Sequence, residues 1–202
     1  RFLVTVLVVS AVVILVVGGG VFYMIRMNPG RNIRTGEELM AAGDYEAAAK
    51  ELGRAVSKES GNEAYLAKYE EALLKVTPET SQRAFELYSQ WISVLSTYSQ
   101  LKPMDEAPAR RLLEEIYGNA RLTNMKRMWD TLQTAARQVL ERNQEMTLAE
   151  FYAVVAKDQQ RNFITTSESD VQAIQAELER QVNEHPDDPR RLHALLFSQL
   201  QL

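Results

Sequence analysis

The sequence contains no cysteine and only two histidines. Without cysteine the chain has no disulfide, no thiol nucleophile and no thiolate metal site, although cysteine-free proteins occur in both reducing and oxidising compartments. His185 and His193 lie eight residues apart, which is not the i, i+4 spacing of a helical zinc site. The chain also lacks a Gly-x-x-x-x-Gly-Lys-Ser/Thr phosphate loop. We therefore predict no metal site, no cofactor and no enzymatic activity.

Acidic residues are absent from the first part of the chain. Residues 1–34 contain four arginines and no acidic residue. Residues 35–202 therefore contain all 27 acidic residues and 19 basic ones, which gives them a net charge of −8. Nucleic-acid binding requires clustered positive charge, because the protein must neutralise phosphates. The charge balance therefore predicts that nucleic acid is not a partner.

Residues 2–25 contain no charged residue. As a helix this run would be about 36 Å long, enough to cross a hydrocarbon core of about 30 Å. The alternative is a cleaved signal peptide, with the glycines at 18–20 as small residues at its cleavage site. However, the run exceeds the usual apolar region of about 7 to 15 residues. We predict a transmembrane anchor over residues 1–27, with the lipid bilayer as a partner of a single-pass membrane protein.

The arginines flanking this span bear on its orientation. Arg26, Arg31 and Arg34 follow the span and only Arg1 precedes it. The positive-inside rule then favours a cytoplasmic location for the large domain. Basic residues upstream of Arg1 would reverse this count, so the side of the membrane stays open.

Downstream of the span the sequence predicts helices and no sheet, because no segment shows sustained period-two alternation. We predict a juxtamembrane linker at 28–34 and one helical domain at 35–202. The predicted helices cover approximately residues 35–43, 44–58, 62–75, 77–98, 105–119, 123–142, 147–160, 169–184 and 189–202. The residues predicted to cap helix starts are Thr35, Asp44, Thr77, Asp105, Thr147 and Ser169. Short turns between such helices favour antiparallel hairpins.

Residues 36–55 have a spacing that resembles the tetratricopeptide repeat, a two-helix unit of about 34 residues. The matching residues are Gly36, Leu39, Gly43, Tyr45, Ala48, Leu52 and Ala55. Weaker matches are Leu66, Tyr69 and Leu73, then Ala84, Tyr88 and Trp91, then Met128, Leu132 and Ala135, and finally Leu178, Leu192 and Leu195. Residues 144–177 match little. The resemblance implies an α-solenoid of stacked hairpins that binds a protein partner.

Small side chains account for this pattern in physical terms. Ala48 and Ala55 are seven residues apart on one helical face, so that a neighbouring helix can approach closely. The residues we predict to pack the repeats together are Gly43, Tyr45, Ala48, Leu52, Ala55, Tyr69, Ala84, Tyr88 and Trp91. A single hairpin cannot bury both of its faces, so such units are stable only when stacked.

The resemblance also implies a groove that binds a peptide or a protein helix. Carried onto this sequence, its lining is Ile33, Glu37, Met40, Ala64, Lys68, Glu71 and Lys75. Relatives that bind chaperone tails need lysine and asparagine where this chain has Ile33 and Glu37, which argues against such tails as the ligand. A groove of mixed charge is equally compatible with no peptide ligand.

Residues 124–129 combine basic and aromatic residues, a composition that suggests RNA or acidic lipid. We favour a structural interpretation. Met125, Met128 and Trp129 share one helical face and are predicted to be core. Lys126 and Arg127 would then face solvent.

These patterns predict a membrane-anchored scaffold or adaptor that binds protein partners whose identity the sequence does not reveal. One alternative is an accessory structural subunit permanently integrated in a larger membrane protein complex. A second alternative is the regulatory segment of a longer enzyme.

Overall fold

The computed structural model describes residues 28–200, and these are helical with short turns and contain no strand. Their helices are α1 (Pro29–Ala41), α2 (Tyr45–Lys58), α3 (Glu63–Lys75), α4 (Ser81–Leu101), α5 (Glu106–Thr123), α6 (Lys126–Arg142), α7 (Thr147–Gln160), α8 (Glu168–Glu184) and α9 (Pro189–Leu200). The all-α prediction is confirmed for the described part of the chain. The predicted membrane span at 2–25 lies outside these residues, and no helix within 28–200 has the length and apolar character needed to cross a bilayer.

Two of the predicted caps are confirmed by hydrogen bonds. The Asp44 carboxylate accepts from the Ala47 N–H at 3.1 Å, and the Asp105 carboxylate accepts from the Ala107 N–H at 3.0 Å. In both cases the side chain satisfies an N–H that has no partner within the helix.

The first helix starts earlier than predicted. The Asn28 side chain accepts from the Gly30 N–H at 2.9 Å, and Pro29 occupies the first turn, where its missing N–H costs nothing. Residues 29–34 are therefore helical, and the prediction of a helix cap at Thr35 was wrong. The juxtamembrane linker at 28–34 stays a prediction, because the span that it would join lies outside the described residues.

Three other predicted caps are also displaced. The Thr80 hydroxyl, not Thr77, accepts from the Arg83 N–H at 3.1 Å at the start of α4. Ser167, not Ser169, caps α8. Thr147 is the first residue of α7, whose cap position is held by Met146 without a side-chain hydrogen bond.

The predicted single domain divides into two compact units, and the boundary falls within α4, between Leu87 and Tyr88. The described residues of the first unit form α1, α2, α3 and the start of α4. The second unit contains the rest of α4 and helices α5 to α9.

In the first unit α1 packs on α2, and α2 packs on α3. The fully buried Leu52 of α2 lies against Gly36 of α1, where an added Cβ would be 2.5 Å from Leu52 Cγ. Gly53 similarly faces the ring of Tyr69, at 3.2 Å from an added Cβ. These glycines let the helices approach more closely than any larger residue would allow.

The turn between α1 and α2 is a Schellman motif. The Gly43 N–H donates to the Met40 carbonyl at 3.1 Å, and the Asp44 N–H donates to the Leu39 carbonyl at 3.0 Å. Gly43 has a φ of 80°, in the left-handed region that favours glycine. The turn therefore ends α1 and positions Asp44 to cap α2.

In the second unit each helix from α5 to α9 packs on the next, and α5 also contacts α7, as α7 contacts α9. Because short turns join neighbouring antiparallel helices, α5, α7 and α9 run in the same direction, side by side. Core residues that are fully buried include Leu113, Ile116, Ala120, Leu132, Ala136, Ala149 and Ala156.

The interpretation of the segment 124–129 is confirmed only in part. Met128 and Trp129 are buried as predicted. Met125, however, is 61% exposed, because it precedes α6 at the cap position and so lies outside the helical face that reaches the core.

We expect Gly36→Ala to destabilise the first unit by about 1–3 kcal/mol, because the new methyl group overlaps Leu52. Gly118→Ala is the matched control, since a Cβ there meets nothing within 4 Å and should add about 0.5–1 kcal/mol of helix stability. Thermal unfolding followed by far-UV circular dichroism measures both changes. The cost of Gly36→Ala should shrink in a Leu52→Ala background, and an equal cost in both backgrounds would contradict the contact.

Candidate protein-binding site

The charged residues of the predicted groove form ion pairs with one another. Glu37 of α1 pairs with Lys68 of α3, and Glu71 pairs with Lys75 along α3 at 2.7 Å. The Lys75 ammonium also lies 5.5 Å from the centre of the Tyr45 ring. Each of these groove charges therefore has an oppositely charged neighbour within the chain, although exposed pairs of this kind contribute little energy.

The apolar residues predicted for this groove lie in different environments. Ile33 is only 7% exposed and belongs to the packed interior, so its placement in the groove lining was wrong. Met40 is half-buried and Ala64 is exposed. The structure thus brings Glu37 and Lys68 together, and the groove as a ligand site stays a prediction.

The residues predicted to pack the repeats lie at several depths. Ala48, Leu52 and Ala55 are fully buried on α2. Half-buried positions are Tyr45, Tyr69, Ala84, Tyr88 and Trp91, whereas Gly43 is exposed in its turn. Ala84 belongs to the first unit, while Tyr88 and Trp91 make an edge-to-face contact at 6.4 Å in the second. All three lie on α4, and their role in packing one repeat stays a prediction.

A feature that sequence reasoning missed is a cavity of about 300 Å³ in the second unit. It lies at the edge where α5 and α7 end, and α9 closes one side of it. Its wall residues are Tyr117, Arg121, Asn124, Trp129, Val155, Asp158, Gln159, Asn162, Leu178, His193, Ala194 and Phe197. Such a mixture of aromatic and polar groups in a concave site is typical of ligand pockets.

Aromatic rings form one wall of this cavity. The Tyr117 ring lies 6.1 Å from that of Trp129 and 5.3 Å from that of Tyr152. Burial raises the pKa of Tyr117, and it raises the pKa of Tyr152 to about 12, so both phenols are neutral. On the opposite wall the His193 and Phe197 rings stack at 6.3 Å.

At the base of the cavity Asp158 connects α7 to α9. This side chain is only 2% exposed, and its carboxylate accepts from the Ser198 hydroxyl at 2.8 Å and pairs with Arg161 at 3.1 Å. Burial raises its pKa, against the lowering effects of Ser198 and Arg161. These contacts join α7 to the end of α9, so Asp158 positions α9 at the cavity.

A second polar contact holds the start of α9. Arg191 is buried, donates to the Gln181 side chain and lies 5.2 Å from the centre of the Phe151 ring. Gln181 is fully buried and donates to Glu150 at 3.0 Å. The two contacts together fix the helix that carries His193 and Phe197.

One sequence signal for Asp158 was available. Phe151, Val155 and Asp158 fall on one helical face, and an acidic residue on an apolar stripe indicates a buried partner. Its partner Ser198 lies forty residues away, and nothing in the local sequence identifies it.

Asp158 on α7 and Asp188 just before α9 should have opposite effects on the pH dependence of stability. The pKa of Asp158 is raised above 3.8 by burial, so the folded state holds its proton more tightly and the free energy of unfolding falls as pH rises through the raised pKa. The pKa of Asp188 is lowered by its hydrogen bonds from Arg190, so its stabilisation is lost as pH falls through the lowered pKa.

In the wild type, ionisation of Asp158 lowers the free energy of unfolding as pH rises, and we expect Asp158→Asn to abolish this decrease. Protonation of Asp188 lowers the free energy of unfolding as pH falls, and we expect Asp188→Asn to abolish that decrease. Urea unfolding followed by tryptophan fluorescence measures this, because both tryptophans, Trp91 and Trp129, lie in the second unit. Identical pH dependence in the wild type and both variants would contradict the assignment.

Metal chemistry has no evident site in this part of the chain. Within residues 28–200 no group of three or more His, Asp or Glu side chains is arranged to hold a metal ion. Comparison of the chain with known proteins gave no match to a family model, to a curated protein or to a solved structure.

Proposed function

We propose that the protein is a membrane-anchored scaffold that binds a protein partner at the cavity of its second unit. The observation that carries the proposal is the parallel alignment of α5, α7 and α9 around that cavity. Repeated helices that expose equivalent ends create an extended surface for a partner, as in other stacked-hairpin proteins. Residues 2–25 would hold this surface at a bilayer.

The residues available to a partner are those at the cavity rim. His193 and Phe197 are exposed and lie on one helix whose position is fixed by buried contacts. An aromatic pair held rigidly loses little conformational entropy on binding, which favours affinity. This supports binding through the second unit in preference to the compensated charges of the predicted groove.

The outer face of α9 supports the alternative, an accessory subunit of a larger membrane complex. This face exposes apolar residues, of which Leu200 is 85% exposed. The others are Leu192 and Leu196. In a permanent assembly these side chains would be covered by a neighbouring subunit, since obligate interfaces are the more apolar ones.

The anchor makes its own prediction. The full chain should stay in the membrane fraction after a carbonate wash. Val13→Asp with Val16→Asp should release it, since each charge at a bilayer centre costs about 3 kcal/mol. Val13→Leu with Val16→Leu is the control that should stay bound. Release of the wild type would contradict the anchor.

The adaptor and the subunit interpretations predict opposite responses to changes on α9. His193→Ala with Phe197→Ala removes the cavity rim. Loss of such an aromatic anchor costs about 2 kcal/mol or more, or about thirtyfold in affinity. Leu192→Ala with Leu196→Ala alters the outer face of the same helix and serves as the matched control.

Quantitative mass spectrometry of cross-linked complexes purified from membranes measures the recovery of each partner. The adaptor proposal expects a partner that is lost only with the cavity-rim variant. A partner held at fixed stoichiometry and lost only with the outer-face variant would overturn it in favour of the subunit.

A further inference from the structure

The turn between α5 and α6 exposes two large apolar residues. Leu122 is 90% exposed and Met125 is 61% exposed. Between them Asn124 adopts the left-handed conformation, with a φ of 46°, and its side chain accepts from the buried Trp129 indole N–H at 3.4 Å. The exposed pair is thus presented by a turn tied to the core.

Basic residues flank this apolar pair. Residues 121–127 contain Arg121, Lys126 and Arg127 and no acidic residue, although residues 88–202 of this unit contain 16 acidic against 13 basic residues. Lys126 pairs with Asp130 at 2.9 Å in the first turn of α6. Even with Asp130 included the turn keeps an excess of positive charge, which complements an anionic surface.

A second apolar turn lies at the same edge of this unit. Phe163 and Ile164, between α7 and α8, are both exposed. Asn124 and Asn162, one from each turn, line the same cavity, which places both turns at one end of the helices. In this second turn Arg161 is nearly buried and pairs with Asp158, and Glu168 and Asp170 follow at the start of α8. The exposed positive charge of these two turns therefore lies in the α5–α6 turn.

The far end of α6 differs in composition. The turn from α6 to α7 contains Asn143, Gln144, Glu145 and Met146, and its one large apolar residue, Met146, is buried. It is separated from the α5–α6 turn by the length of α6, which at 17 residues is about 25 Å. The α6–α7 turn itself therefore exposes only polar side chains, although Met104 of the neighbouring α4–α5 turn is exposed at the same end.

We propose that the α5–α6 turn docks on the anionic lipid surface of the bilayer, with Leu122 and Met125 entering the headgroup region and Arg121, Lys126 and Arg127 contacting lipid phosphates. The proposal rests on the membrane anchoring in the proposed function. Exposed apolar residues flanked by lysine and arginine are the composition that interfacial segments use.

The absence of cysteine from the sequence allows a site-specific test in the full chain. Thr123→Cys places a fluorophore between Leu122 and Met125 while preserving both, and Gln144→Cys places it at the far end of α6. Each labelled protein is reconstituted into phosphatidylcholine vesicles with or without phosphatidylserine, and nitroxide-bearing lipids serve as the quencher. We expect quenching at position 123 and not at position 144, and stronger quenching with phosphatidylserine.

Charge reversal separates docking from mere proximity. Lys126→Glu with Arg127→Glu should reduce the docked fraction, since each basic residue near an anionic surface contributes about a fivefold gain in attraction. The matched control is Arg137→Glu with Arg142→Glu, which reverses two exposed charges on the same helix and should leave quenching unchanged. High salt should weaken quenching at position 123.

Three outcomes would overturn the proposal. One is equal quenching at positions 123 and 144, and another is quenching that ignores both phosphatidylserine and the Lys126 and Arg127 changes. The third is shielding of the label without lipid quenching, which would place a protein on this turn. A chain that remains membrane-bound after a carbonate wash but shows no quenching at position 123 removes the docking alone and leaves the anchor intact.

Discussion

Close approach between neighbouring helices is the constraint on which both units depend. A helical hairpin has two apolar faces and can cover only one of them itself, so it is stable only when another helix lies against the other. In the first unit this approach is set by Gly36 and Gly53, which leave room for Leu52 and Tyr69. In the second unit fully buried alanines such as Ala136 and Ala156 have the corresponding small size. Small residues at these contacts therefore set how closely the helices of each unit approach, and with it how much apolar surface the unit buries.

Buried polar contacts fix the position of helix α9 in the second unit. Helix α9 leaves much of its apolar surface exposed, so apolar burial holds it less firmly than it holds α6 or α7. Its position is fixed instead by Asp158 with Ser198 and by Arg191 with Gln181. Burying these groups costs free energy, which their mutual hydrogen bonds offset. Such contacts depend on direction, and they therefore specify one position for α9 where apolar packing alone would permit several.

The sequence predicted what depends on neighbouring residues and missed what depends on distant ones. Asp44 and Asp105 were correct as caps because a short carboxylate reaches an N–H of the following turn. Thr35 was wrong as a cap because Asn28 and Pro29 start the helix earlier, so Thr35 lies inside the helix. The cavity could not be predicted, because it depends on where α5 ends relative to α7 and α9.

The two ends of the α6 helix carry different surfaces, and this asymmetry links the fold to the proposed role. Exposed apolar and basic residues meet in the α5–α6 turn, at the end that also opens into the cavity, whereas the α6–α7 turn at the other end exposes only polar side chains. The apolar turn is a specific feature of this fold, because neither helix packing nor capping requires exposed residues at Leu122 and Met125. Docking of this turn on lipid would hold the cavity mouth near the bilayer surface. A partner that enters the cavity would then be bound most readily when it is itself at the membrane, which raises its effective concentration.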